Sequence, residues 1–199
     1  MPSQSFKVPT AQLPKGKQTL TIQKTGTGQL HYWVAYGYRP RGLSAGRLNG
    51  LRVIREVRPA NEEQVLYQFS LNPKEDEFQV STGQVFDVGL KIITDHPVDQ
   101  VVITDPLPAG LEAIDASFQT STPYFKAKGD SWQIGYQTIY PDRVVATSDR
   151  LEPGVYSFHY LVRSVTPGVF LWPGATAYLQ HTPEEMGRTG AGVLRINAK

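Results

Sequence analysis

Side chains able to do chemistry are sparse in this chain. It carries four histidines, His31, His96, His159 and His181, and no cysteine. No two histidines stand at the spacing of a metal pair, and none falls in a His-Glu-x-x-His pattern. A lone strand histidine such as His159 is ordinarily a packed or surface residue. The missing thiol removes disulfides, thiolate metal sites and cysteine nucleophiles. Lys24-Thr25-Gly26 matches one box of acyl-transferring serine enzymes, but the Ser-x-x-Lys partner is absent and so is the helical half of such a fold. Gly129-Asp130-Ser131 has the outline of a nucleophile turn, yet no Asp-x-x-His follows and no α/β alternation surrounds it. Gly26-x-Gly28 lacks the third glycine and following helix of a dinucleotide fingerprint. No nucleophile, base and orienting group come together, so the chain reads as non-catalytic, with no cofactor and no metal.

Charge points the same way. The net charge of +2 is too small to dictate a polyanionic partner. Six arginines, Arg39, Arg41, Arg47, Arg52, Arg55 and Arg58, fall within twenty residues. Arg52 and Arg55 have opposite strand parity, few aromatics accompany them, and a solvated, salt-bridged face explains them better than nucleic acid. Asp142, Asp149, Arg150 and Arg163 read as structural ion pairs at strand ends. No apolar run approaches a membrane span, and the first sixteen residues lack the apolar core of a signal peptide.

The elements that must position these residues are strands. Residues 149–163 (DRLEPGVYSFHYLVR) are the organising stretch. Pro153-Gly154 is a turn signal. After it Tyr156, Phe158, Tyr160 and Val162 share one face of an extended chain, and Val155, Ser157, His159, Leu161 and Arg163 the other. Alternate aromatics suit the buried face of a central strand in an antiparallel sandwich. The spacing Leu151-x-Pro153-x-x-Tyr156 has the form of a tyrosine corner, in which the hydroxyl bonds back to the upstream backbone; a plain turn and strand is the alternative.

The 18 glycines and 15 prolines are scattered, and turn signals recur at roughly 8–12-residue spacing, which favours an all-β antiparallel sandwich. Residues 1–40 read as a small β unit. It has a short strand at 6–9, a strand at 18–24, a hairpin loop at 25–28 and an aromatic-rich strand at 30–38. Residues 39–50 read as a linker. Further strands are expected at 51–58, 65–71 and 84–94, the last with a bulge at Gly89. Residues 75–77 read as an acidic tip. The prolines around Leu107 demand an extended, kinked segment. Residues 117–130 read as a long polar loop, and strands follow at 131–140, 143–148, 155–164, 168–172, 175–179 and 191–197. The best helical turn is 183–186.

Several segments, in order, resemble the C-terminal part of the bacterial α2-macroglobulin family. Residues 26–32 (GTGQLHY) are similar to the family's Gly-x-Gly-x-Leu-Tyr-Tyr segment, which closes a small β domain beside the thioester domain. Residues 51–57 (LRVIREV) resemble the first strand of the terminal macroglobulin-like domain, and residues 105–112 (DPLPAGLE) match the family's Asp-Pro-Leu-Pro-Ala-Gly-Leu-Glu. Asp142-Arg143-Val144, Leu151-x-Pro153-Gly154-x-Tyr156, Thr166-Pro167-Gly168-x-Phe170 and Pro183-Glu184-x-x-Gly187-Arg188 follow.

The resemblance implies two parts: residues 1–43, the last strands of a flanking β domain with a linker, and residues 44–199, the terminal immunoglobulin-like, macroglobulin-like sandwich. It implies a non-catalytic module of a protease-trapping protein. Its partners would be the thioester and flanking β domains of one polypeptide and, through the full-length protein, trapped proteases. Neither nucleic acid nor direct membrane insertion belongs to this reading. The setting would be periplasmic or extracellular, with any membrane anchor at the N-terminus of the longer parent. In the family a Met-Tyr pair before Pro-Glu-x-x-Gly-Arg covers the thioester; here Gln180 and His181 stand there. The interdomain contact is therefore expected on Tyr178, Leu179, Gln180, His181 and Pro183, in a lock of different chemistry or in a parent without a working thioester. Two competing readings are a stalk or adhesin-type immunoglobulin-like module of a bacterial surface protein, and a carbohydrate-binding sandwich using Tyr124, Trp132, Tyr136 and Tyr140.

Overall fold

The structure, a computed structural model, describes residues 5–14, 16–35, 37, 42–114 and 130–199. The chain divides into two units, Met1–Tyr38 and Arg39–Lys199. The described residues of the first unit hold a 3-10 turn at Thr10–Gln12 and no paired strand. The expected hairpin ladder is therefore not formed there, although Gly26 and Gly28 do take the positive φ of a turn. The physical reason lies in burial. Phe6, Leu20, Ile22, Tyr32 and Trp33 are all exposed, and two or three strands without an apolar face against them are marginal in water.

The second unit is all β. In chain order its strands are β1 (Arg47–Asn49), β2 (Leu51–Pro59), β3 (Tyr67–Phe69), β4 (Glu77–Ser81), β5 (Val85–Thr94), β6 (Val98–Pro106) and β7 (Leu111–Ile114). Then come β8 (Tyr136–Ile139), β9 (Arg143–Leu151), β10 (Gly154–Ser164), β11 (Gly168–Trp172), β12 (Thr176–Leu179), β13 (Met186–Arg188) and β14 (Gly192–Asn197). One hydrogen-bonded path runs β7-β10-β5-β2-β1-β13-β12-β6-β9-β8, with β3 also on β2; a smaller sheet runs β11-β14-β4. All pairs on the long path are antiparallel, and β14 meets β4 in parallel. The chain reverses at Gly50, so that Asn49 pairs with Leu51 and β1 crosses from β2 to β13.

Alternation explains the core. Tyr156, Phe158, Tyr160 and Val162 of β10 are buried, beside Val88, Leu90 and Ile92 of β5 and Leu51, Val53 and Val57 of β2. Against them come Val101 and Ile103 of β6, Val144 and Ala146 of β9, Ala177 of β12, and Leu194 and Ile196 of β14, in one apolar cluster. Rings from β3, β4, β5 and β11 pack in series: Tyr67 on Phe78, Phe78 on Phe86, Phe69 on Trp172.

Four further expectations are corrected. The first concerns the arginines. Arg55 is fully buried and Arg58 nearly so, which removes both from any solvated face. Arg58 pairs with Glu56, which also accepts from Lys91 Nζ at 2.8 Å and Gln68 Nε2 at 3.0 Å. Second, Gly89 makes no bulge, since β5 keeps continuous register with both β2 and β10. A Cβ there would lie 2.8 Å from the His159 ring, so glycine leaves room for that side chain. Third, the strand expected at 131–140 begins only at Tyr136, and Trp132 sits in a turn before it, 86% exposed. Tyr124 and most of the 117–130 loop lie outside the described residues. Fourth, the linker expected at 39–50 contains β1, and the helical turn expected at 183–186 is a non-helical turn leading into β13.

Arg55 reaches across the core. Its Nη1 donates to Asp105 Oδ1 at 2.6 Å and to the Pro173 carbonyl at 2.9 Å. Its guanidinium lies 4.0 Å from the Phe69 ring centre and 4.6 Å from that of Trp172, a double cation-π contact. The Tyr160 hydroxyl donates to Asp105 Oδ2 at 2.7 Å. Burial, then the Asp105 charge, holds the Tyr160 phenol well above its ordinary value, so it remains a donor. Burial also pushes the Asp105 carboxyl up, against the pull of Arg55 and Tyr160. Removing one partner strands the other charge. Asp105→Ala will therefore cost about 3–5 kcal/mol of stability. Arg195→Ala, at the half-exposed pair with Glu77, will move the denaturation midpoint far less. Denaturation midpoints at unchanged slope read both.

Candidate functional site

Antiparallel pairing brings distant loops to one end of the sandwich. Gly154 stands opposite Thr94, Leu51 opposite Thr94, Val98 opposite Leu151, and both Asn49 and Tyr178 opposite Met186. The β1–β2, β5–β6, β9–β10 and β12–β13 connections therefore share that end. Both groups of residues singled out in the sequence, 178–183 and the Leu151-Pro153-Tyr156 corner, lie there.

The corner is built as follows. Leu151 is buried, Pro153 is exposed on the turn, and the Tyr156 hydroxyl donates to the Glu152 carbonyl at 2.8 Å. That bond ties the start of β10 to the loop that leaves β9. Arg150 braces the same loop, with Nε donating to Glu152 Oε1 at 2.7 Å and Nη1 to Asp99 at 3.2 Å. Of the strand-end charges read from the sequence, Asp149 accepts from Gln100 Nε2 at 3.4 Å and Asp142 lies 3.6 Å from Arg143.

Residues 178–183 form the outgoing side of the β12–β13 hairpin. Leu179 is buried and Tyr178 half-buried; Gln180, His181 and Pro183 are exposed. Three neighbours hold the tip. The Gln180 amide donates to the Gln100 carbonyl at 2.9 Å. Gln100 is the one non-glycine residue with positive φ among the described residues, at 53°, and it breaks the β6–β9 ladder between the Asp99–Arg150 and Val101–Ser148 pairs. Asn49 Nδ2 donates to the Glu184 carbonyl at 2.5 Å. His96 reaches Glu185, its Nε2 lying 2.5 Å from Oε1, while its Nδ1 lies 2.7 Å from Asp95 Oδ1. Gly50 makes room: at φ 83° it lies against Glu185, whose Cγ a Cβ would meet at 2.5 Å.

Asn49, His96, Gln100 and Glu185 were not among the residues expected at this site. Their contacts join positions up to 135 apart in sequence, and no local pattern announces such a pair. Among the described residues the end of the sandwich brings no nucleophile to a general base. Among the described residues no group of three His, Asp or Glu side chains is arranged to hold a metal. What the arrangement offers is a braced, exposed polar tip.

The sequence profile described as "Bacterial Alpha-2-macroglobulin MG10 domain" matches residues 50–184. An "Alpha-2-macroglobulin homolog" from Nostoc sp. is 54% identical over 198 residues, covering 100% of this chain and 10% of the relative. The fold is shared with native alpha-2-macroglobulin from Escherichia coli. A crystal structure spanning domain MG7 to the C-terminus gives a TM-score of 0.63 at 19% identity, over 79% of this chain and 25% of that one. A cryo-EM reconstruction of the native conformation gives 0.62 at 21%, over 80% and 10%.

Tyr156→Phe keeps the ring and removes the corner bond. It will lower stability by about 1 kcal/mol, measured by equilibrium denaturation, with the Gly154 and Val155 amide resonances shifting most.

Proposed function

Because the chain belongs to the bacterial alpha-2-macroglobulin MG10 domain family, we propose that it is a non-catalytic module of a larger protease-trapping protein, whose 178–183 tip packs on and shields a neighbouring thioester-bearing domain. The chain spans 10% of the length of its Nostoc relative, so inhibition, protease targets and domain partners belong to this reading of the parent. An exported parent, periplasmic or extracellular, belongs to it too.

The observation that carries the reading is the bracing of the tip. Gln180, His181 and Pro183 are exposed, yet the hairpin beneath them is held by Gln100, Asn49 and His96. A pre-ordered exposed loop loses little entropy on docking. A strained acyl bond is protected by keeping water away from it. Gln180 and His181 would do so by filling the hydrogen-bonding positions that water would otherwise occupy.

The test places this chain beside the parent's thioester-bearing domain in trans. Crosslinks and slowed amide exchange are expected at residues 178–183. The double substitution Gln180→Ala, His181→Ala should weaken association roughly tenfold, about 1.4 kcal/mol. Exchange at 178–183 that is unchanged by the partner would rule out the loop assignment.

A further inference from the structure

We propose that His96 is a protonation-controlled latch, holding the β12–β13 hairpin to the β5–β6 loop when doubly protonated and releasing it when neutral. This deepens the role given above to residues 178–183, but it concerns contacts within this chain and is tested on the chain alone.

The geometry forces the coupling. His96 faces a carboxylate at each ring nitrogen: Asp95 Oδ1 at 2.7 Å from Nδ1 and Glu185 Oε1 at 2.5 Å from Nε2. Ionised carboxylates only accept hydrogen bonds, and a neutral imidazole donates from one nitrogen alone. Only the imidazolium satisfies both. Deprotonation leaves a ring lone pair against a carboxylate oxygen, and one of the two contacts must open.

Among the described residues the charges that act on the ring are those of Asp95 and Glu185. On its own loop the neighbours are Asp95 and Thr94, whose hydroxyl donates to the His96 carbonyl at 2.6 Å. From the hairpin comes Glu185; Glu184 beside it is exposed, and its backbone carbonyl accepts from Asn49 Nδ2. The β1–β2 turn contributes Asn49 and Gly50, neither of which titrates. Asp99, at the start of β6, is paired with Arg150. Asp95 sits on the same loop as the ring, whereas Glu185 comes from 89 residues away, so the Glu185 contact links two loops.

Hydrogen bonding to Asp95, and then to Glu185, holds the imidazole above its ordinary value. The sign follows from linkage. A histidine raised in the folded protein contributes fully below its free value of about 6.5 and loses that contribution as pH climbs through the raised value. The hairpin is thus tightest at mildly acidic pH and loosens toward the alkaline side.

Amide exchange of the full chain, expressed as protection factors, reads this out. The reporters are the amides of Leu179, Gln180 and Glu185, bonded to Glu185, Gln100 and Thr182 carbonyls. Their protection should fall roughly threefold or more across the upper pH range, while Phe158 in the middle of β10 stays level. The His96 ring protons, followed by NMR, should titrate above the free value. Glu185→Gln should lower that titration point, and His96→Gln should flatten the pH dependence at the three reporters. A His96 titration at or below the free value would overturn the latch. So would level wild-type protection at the reporters, or a His96→Gln profile that still follows the wild type.

Discussion

The pairing of Arg55 with Asp105 decides how the layers of this sandwich meet. Arg55 comes from β2, Asp105 from the end of β6, Tyr160 from β10, Phe69 from β3, and Trp172 and Pro173 from the end of β11. Three other segments, β3, β6 and the end of β11, close on one guanidinium, and β10 holds Asp105 through the Tyr160 hydroxyl. Burying two charges costs several kcal/mol before any attraction is counted, so the cluster is not explained by stability alone. Its effect is selective. Sliding β2 by one residue would turn Arg55 outward and leave Asp105 buried without its cation, whereas a purely apolar inner face would tolerate several alignments. The two guanidinium nitrogens without hydrogen bonds, Nε and Nη2, lie in a group bounded by the Phe69 and Trp172 rings, whose faces supply what a hydrogen bond would otherwise give.

The same cluster marks where sequence reading succeeds and where it stops. Tyr156, Phe158, Tyr160 and Val162 were legible because a half-buried strand writes its orientation into alternate residues. Arg55 occupies an inward position of the same kind of pattern, but an arginine there is read with its charged neighbours and assigned to solvent. Only the partner on β6, fifty residues on, reverses that assignment. Strands β1 and β13 have three residues each, too few for any period to show. Gly89 was read as a bulge because a glycine inside a strand signals a close approach without saying of what; the answer is the His159 ring from a neighbouring strand.

At the loop end the two residue groups found from sequence share a site for a topological reason. Both flank the start of β6: Leu151 pairs with Val98 on one side and Leu179 with Val101 on the other, which sets the β9–β10 corner and the β12–β13 hairpin side by side. The residues that set the shape of the tip are harder to see. A kinked Gln100, a turn at Asn49–Gly50 and an imidazole between two carboxylates each look unremarkable within their own few residues. They acquire meaning from the opposite loop. This division suits a surface whose body must be rigid and whose edge is adjustable by a proton.

The smaller sheet has its own implication for how the molecule is made. Its middle strand is β14, flanked by β4 in parallel and β11 antiparallel, with Val193 opposite Glu77 and Trp172 opposite Gly192. Within this unit β14 is the last of the described strands to be synthesised. Until then β4 and β11 have no neighbour, and the apolar side chains beneath them lack Leu194 and Ile196. Assembly of that layer waits on Gly192–Asn197, and a unit without that strand would leave the apolar side chains of β4 and β11 without their shared neighbour.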